Sequence, residues 1–261
     1  MITFQNNSFD DISNTYNYRI PYHVDFINLL KEKLKIEKNM TLMDIGCGDG
    51  CLTIDMLDSG AKILGVDISE KMIEQAKKHA NRDFKILDLN ALDAHKEIYP
   101  NYFDHYLLGH SIHWINTDPL EKLITQGLKN GGTVTTCGNN WDLKSNLAVA
   151  YHRLTEKYKS FDNHDVTGQE KMKSIGFSLT EIITFRYQFS VDLNFLVNQS
   201  LSYARFREKI LVNFDKFYLD LATAMKPFMN DGVITGTALN WGCVYKRIDN
   251  SYETEGVNNF V

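Results

Sequence analysis

Between residues 22 and 38 the apolar positions Val24, Ile27, Leu30 and Leu34 recur at helical spacing, which predicts an amphipathic helix. The run TLMDI (41–45) reads as a short buried strand, and CLTIDMLDSG (51–60) as a helix stopped by Gly60. AKILGVDIS (61–69) is a second strand, followed by a helix through Met72, Ile73 and Ala76. FKILDL (84–89) is a third strand and FDHYLLGHS (103–111) a fourth. Asp118, Pro119 and Glu121 predict a helix start, with a capping residue, proline at the first helical position and glutamate three on. That helix is expected to end at Gly131 and Gly132, before a fifth strand, TVTTCGN (133–139). Strands alternating with helices at this spacing imply βαβ units and an open parallel sheet covered on both faces.

After Trp141 the rhythm lengthens. Helical stretches are expected around 143–158 and 193–228, with SLTEIITFRYQFS (178–190) between them and a last strand-like run, VITGTALNWGCVYKRI (233–248). Two strands separated by helix, without another parallel crossover signal, predict that the sheet closes with an antiparallel pair. The helical stretches would then form a cap.

Composition narrows the function classes. With 261 residues, 43% hydrophobic and only 4 prolines, the chain can bury one substantial core, or one core and a cap. A net charge of −5 and no dense Lys/Arg run give no electrostatic reason to approach a phosphate backbone, so no nucleic-acid partner is expected. The opening residues lack a basic-then-apolar leader, and no uninterrupted apolar stretch approaches 18 residues, so the expected location is cytoplasmic, with no membrane partner. Cys47, Cys51, Cys137 and Cys243 form no pair of CxxC motifs. Cys47 and Cys51 lack a second ligand pair, so no metal site is expected.

The stretch LMDIGCGDGCL (42–52) carries the chemistry. Gly46, Gly48 and Gly50 follow the first strand, and in an open α/β sheet ligands bind beyond the carboxyl ends of the strands. A dinucleotide fingerprint would place a third glycine at position 51, which is Cys51. The pattern is instead D-x-G-x-G-x-G, opening on Asp44. A carboxylate there repels a pyrophosphate but receives an ammonium, which favours a ligand with an amino-acid end. Asp67, at the end of the second strand, can accept two ribose hydroxyls. Asp88, after the third strand, can accept from an adenine amino group while the Leu89 backbone meets the ring edge.

DIGCGDG, GVDIS, ILDLNAL and FDHYLLGHSIHW, in this order and spacing, resemble the successive motifs of the class I S-adenosylmethionine-dependent methyltransferases, over roughly residues 40–139. The flanks FDDISNTYNYRIPYH, HSIHW and NQSLSYARF are similar to the lid, post-strand-four and cap segments of the small-molecule, trans-aconitate methyltransferase-like group. Ile20, inserted between Arg19 and Pro21, departs from that lid pattern. The resemblance implies a Rossmann-like fold: a mostly parallel seven-stranded sheet with an antiparallel last strand and a helical cap. It implies a single domain over 1–261, with a lid at 1–25, a cofactor-binding core at 40–139, cap segments at 141–178 and 191–231, and a loose tail at 249–261. The implied cofactor is S-adenosyl-L-methionine, leaving as S-adenosyl-L-homocysteine. Its implied contacts are Asp44, Gly46, Gly48, Gly50, Asp67, Ile68, Asp88, Leu89, His110 and Arg19.

Methyl transfer from a sulfonium is an in-line displacement, so acceptor alignment and exclusion of water come first. A carboxylate acceptor needs no proton removed, whereas a phenol or alcohol needs a base. His110 and His113 follow the fourth strand and are the candidate catalytic residues, each with a packing role as the alternative. Tyr16, Tyr18, Tyr22, Trp114, Trp141 and Tyr203 are candidate walls of an acceptor pocket, and Arg205 and Arg19 are candidate holders of an acidic acceptor. The expected function is methyl transfer to an oxygen of a small molecule, by a monomer or homodimer. The alternatives are a cyclase- or decarboxylase-like reaction on the same fold, or a tRNA methyltransferase.

Overall fold

The computed structural model describes residues 12–79, 84–86, 100–160 and 167–248. After a short 3-10 helix over Ser13–Tyr18, α1 (Val24–Leu34) buries Phe26, Ile27, Leu30 and Leu34. It stops where Lys35 turns left-handed at φ 52°. Then follow β1 (Thr41–Ile45), β2 (Lys62–Asp67), α2 (Glu70–His79), β3 (Phe84–Ile86), β4 (Phe103–Gly109), α3 (Thr117–Gly127) and β5 (Leu128–Trp141). The second half holds α4 (Asn146–Glu156), α5 (Gly168–Ser174), β6 (Phe177–Val191), α6 (Leu193–Leu201), α7 (Ala204–Val212), α8 (Phe214–Met225), the two-residue β7 (Met229–Asn230) and β8 (Val233–Arg247).

The sheet order is β3-β2-β1-β4-β5-β8-β6, with β7 paired to β8 off this path. β8 alone runs against its neighbours β5 and β6, as expected for the closing pair. Strand order reverses at β1, which lies between β2 and β4. Their carboxyl ends therefore form the crevice where such folds hold ligands.

Alternation along β1 assigns the two faces. Leu42 packs with α1 on one face, and Met43 and Ile45 pack with α3 on the other. A third cluster joins α4, α6 and α8 into the cap around Trp141, Phe217 and Leu221, and lid residue Ile20 belongs to it. No described helix is long and apolar enough to cross a membrane.

Several boundaries differ from the sequence reading. The helix expected over 51–60 is a 3-10 helix over Ile54–Ser59, because the Gly50 carbonyl takes the N–H groups of Thr53 and Ile54 and holds the preceding residues in a turn. Gly60 still closes it, at φ 77°. α3 begins two residues before Pro119, and it ends at Gly127. Gly131 and Gly132 sit inside β5, opposite a register shift between Phe103 and His105. A Cβ on Gly132 would stand 2.7 Å from the Asp104 carbonyl oxygen, so close strand approach explains that glycine. The stretch 193–228 breaks into three helices, and α5 was not anticipated.

Candidate functional site

The glycine loop leaves β1 under tight constraint. Gly46 and Cys47 both donate to the Val66 carbonyl, at 2.8 and 3.0 Å, and Gly46, Gly48 and Gly50 have φ of 67°, 56° and 84°. Asp67 closes the loop from β2: Oδ2 accepts from Gly48 N at 2.8 Å and Oδ1 from Ser69 N at 2.9 Å. Burial nevertheless holds its carboxyl above the ordinary range. Asp67 thus shapes the loop, and Ile68 follows it at the same crevice.

Asp44 lies beneath the loop, 1% exposed. Its Oδ2 accepts from Thr53 Oγ1 at 2.9 Å, while Oδ1 is buried without a partner among the described residues. Burial, with Asp67 and Asp49 adding like charge, pushes its pKa up to about 7.

The lid crosses the crevice from above and is tied down by hydrogen bonds at Arg19, Ile20 and Pro21. Asn139 Nδ2 donates to the Ile20 carbonyl. Tyr187 Oη and Asn240 Nδ2 both donate to the Pro21 carbonyl, at 2.7 and 3.2 Å, and Arg19 Nη2 donates to the Ser202 carbonyl at 2.9 Å. The Arg19 guanidinium lies 4.3 Å from the Tyr16 ring centre and 4.7 Å from that of Tyr203, and its Nε has no partner among the described residues.

Between lid, loop and strand ends lies a cavity of about 420 Å³. Tyr16, Arg19 and Tyr22 line it from the lid, Asp44, Gly46, Asp49, Cys51 and Asp55 from the loop side, and Gly109, His110 and Asn139 from the strand ends. His110 occupies the left-handed region at φ 52°, uncommon for a residue with a side chain. Its Nε2 accepts from Asn139 N at 2.9 Å. Burial first, then the Arg19 and His113 charges, lower its pKa to about 4.

Other sequence candidates stand elsewhere. His113 and Trp114 lie on a 3-10 turn over Ile112–Trp114 with ring centres 4.9 Å apart, and neither lines the cavity. Trp141 is buried in the cap with Nε1 donating to Gln199 Oε1 at 3.0 Å, and Tyr18 packs edge-on to Phe195. Arg205 is 4.0 Å from Glu156 and packs on Phe206. Asp88 and Leu89 lie outside the described residues. No group of three potential metal ligands occurs among the described residues.

A family model described as a methyltransferase domain matches residues 43–136. A ubiquinone biosynthesis O-methyltransferase of Pelagibacter ubique is 31% identical over 61% of this chain and 69% of its own length. The chain belongs to the class I S-adenosylmethionine-dependent methyltransferases. A juvenile hormone acid O-methyltransferase of Bombyx mori is 26% identical over 71% of this chain and 74% of its own. Two further methyltransferases, from Schizosaccharomyces pombe and Saccharomyces cerevisiae, are matched over only 43% and 39% of their lengths. A solved structure provisionally assigned as a type II methyltransferase, from Anaeromyxobacter dehalogenans, superposes with a TM-score of 0.67. It is 13% identical, over 88% of this chain and 97% of that one, a likeness of fold. The likeness to the trans-aconitate group rests on the flanking motifs alone.

The methyltransferase's cofactor is S-adenosylmethionine, and the cavity suits it. The partnerless Asp44 Oδ1 offers an acceptor to a cationic donor, and Arg19 offers the one guanidinium among the lining residues. Gly48 keeps the loop backbone clear, since a Cβ there would already sit 3.4 Å from Tyr16 Oη. Asn139, Asp49, Asp55 and Cys51 were missed as lining residues. Asn139 was legible by the same rule that found Asp44 and Asp67, its place at the carboxyl end of a strand.

Proposed function

We propose that the protein transfers the methyl group of S-adenosylmethionine to an oxygen of a small-molecule acceptor. The observation that carries this reading is the lid-covered cavity, whose roughly 420 Å³ lies in the range of small-molecule sites. The two relatives named above as O-methyltransferases support oxygen as the acceptor atom. When bound, the cofactor supplies an electrophilic methyl group on a sulfonium.

The chain's own residues do the holding. Asp44 and Arg19 receive the ammonium and carboxylate of the methionine end. Gly46, Gly48 and Gly50 supply backbone, and Asp67, Ile68, Asp88 and Leu89 serve ribose and adenine. The lid residues Tyr16 and Tyr22 exclude water, with Tyr18, Tyr203 and Trp141 packed behind them. Lid residues 12–25 and cap residues 141–160, 167–178 and 191–231 enclose the acceptor over the strand ends. His110 orients the acceptor at the end of β4, while His113 and Trp114 hold the turn behind it.

Incubation with methyl-labelled cofactor and a panel of small acids and hydroxyl compounds tests this. Label should appear in a small organic product, and His113→Ala should retain turnover within a few-fold, against the roughly 10²-fold or greater loss expected of a general base. Label found only in tRNA or protein, or rearranged product without label, would reject the reading.

A further inference from the structure

Resting on that reading, in which Arg19 receives the carboxylate of the methionine end, we infer that Tyr203 and the carboxyl end of α6 are positioning elements for the cofactor. They hold the Arg19 guanidinium over the cavity before the ligand arrives, so the cap reads the amino-acid end of the ligand through a lid residue. A long arginine stem loses rotamer freedom when it is fixed, and contacts that fix it in the free protein remove that cost from binding. Three such contacts converge here. The Tyr16 and Tyr203 rings lie against the guanidinium, at 4.3 and 4.7 Å from their centres. The third is the bond from Nη2 to the Ser202 carbonyl at 2.9 Å, 183 residues along the chain.

Ser202 is the residue that closes α6, so its carbonyl belongs to the negative end of that helix, which favours a cation. The anchor is itself fixed. Ser202 is fully buried, with its N–H on the Asn198 carbonyl at 2.9 Å and its hydroxyl on the Gln199 carbonyl at 2.7 Å. The same turn is joined to β5 and α4: Gln199 Oε1 accepts from Trp141 Nε1 at 3.0 Å, and the Ser200 and Tyr151 hydroxyls share a hydrogen bond at 2.7 Å. The Tyr203 carbonyl accepts the N–H groups of Phe206 and Arg207 at 3.0 and 3.1 Å, which sets the ring at the start of α7.

Tyr203 does not line the cavity, whereas Arg19 and Tyr16 do. Its influence on the ligand therefore passes through Arg19, and the sequence expectation that Tyr203 walls the acceptor pocket gives way to this role. Tyr16 completes the series from the other side: its hydroxyl stands 3.4 Å from where a Cβ on Gly48 would lie. A run of contacts thus leads from the cap through Tyr203, Arg19 and Tyr16 to the glycine loop. The guanidinium keeps its partnerless Nε–H for a ligand oxygen.

Calorimetric titration of the full chain with two ligands tests this: S-adenosylhomocysteine, and S-adenosyl-3-thiopropylamine, the same thioether with its ammonium but without its carboxylate. The parent should prefer the ligand with the carboxylate by about 100-fold. Tyr203→Leu, which fills the cap without an aromatic face, should weaken S-adenosylhomocysteine about tenfold and leave the amine within about twofold. Tyr203→Phe should restore the parent's affinities, because the ring is what lies against the guanidinium. Added to Arg19→Gln, Tyr203→Leu should cost less than about twofold more, since the two residues act as one unit. A merely structural role would move both ligands together. Equal losses for the two ligands, no loss in Tyr203→Leu, failure of Tyr203→Phe to restore, or a second tenfold loss on Arg19→Gln overturns the inference and leaves Arg19 at the carboxylate. A parent that binds the two ligands alike, or Arg19→Gln with unchanged affinity, overturns the placing of Arg19 and this inference with it. Methyl transfer itself is judged apart from both, by the labelled product.

Discussion

Asp44→Asn should melt higher than the parent protein at pH 8 and bind S-adenosylhomocysteine far more weakly. The free carboxyl is 1% exposed and titrates near 7, where an unfolded aspartate titrates near 3.8. A raised acid pKa means that the unfolded chain ionises first. Stability is therefore lost as pH rises from about 4 to 7, and the loss is complete above 7. Three pKa units correspond to about 4 kcal/mol, of which a partnerless Asn amide would return about 1–3 kcal/mol as its own desolvation penalty. The net gain should raise the melting temperature by a few degrees at pH 8, and by less at pH 5. The ligand's ammonium would lose its anionic partner, which costs about 2–5 kcal/mol of affinity. Thermal scans at both pH values, with calorimetric titration at pH 8, check the two halves separately. A variant that melts lower and binds equally well would remove Asp44 from the site.

Gly46→Val should unfold the protein at much lower urea and abolish cofactor binding. A Cβ at Gly46 would stand 2.5 Å from Ser111 Cβ, and Ser111 is pinned there by its hydroxyl bond to the Ile45 carbonyl. The backbone cannot swing away, because Gly46 N and Cys47 N share the Val66 carbonyl. Overpacking costs about 1–3 kcal/mol, and a β-branched residue held at φ 67° adds about 1–2 kcal/mol. Gly131→Ala provides the comparison: φ is 79° but nothing lies within 4 Å of the added Cβ, so it should cost only about 1 kcal/mol and spare binding. Equal losses in the two variants would mean that the crowding at Ser111 is without consequence.

The sheet was legible because strands one, two and four pack both faces, so their apolar runs are short and bounded by Asp or Gly. The antiparallel closure was legible from two strand-like runs with helix between them. Local chemistry misled where tertiary pairing overrode it. Gly131–Gly132 read as a helix stop, yet β5 pairs with β4 already at Leu128 and uses Gly132 for close approach. Residues 51–60 read as a helix, yet the glycine loop consumes their first turn.

At the site, strand-end carboxylates and the glycine loop followed from position alone. The partners of the candidate side chains did not. HSIHW offers two histidines without showing that His110 spends its Nε2 on Asn139, 29 residues away, or that His113 packs at a tilt against its neighbour. Arg19 and Arg205 look equivalent in sequence. In the fold, Arg19 reaches the cavity between Tyr16 and Tyr203, and Arg205 turns toward Glu156.

The loop after β1, closed by Asp67 and covered by the lid, is expected to hold S-adenosylmethionine and no dinucleotide. Calorimetric titration of the full chain with S-adenosylhomocysteine, with NAD as the competing probe, tests it most directly. One molecule of S-adenosylhomocysteine should bind per chain and NAD should give no heat. Asp67→Ala should lose about 2–4 kcal/mol of that affinity, the worth of two charge-assisted hydrogen bonds. Binding of NAD in preference, or unchanged S-adenosylhomocysteine affinity in Asp67→Ala, would contradict it.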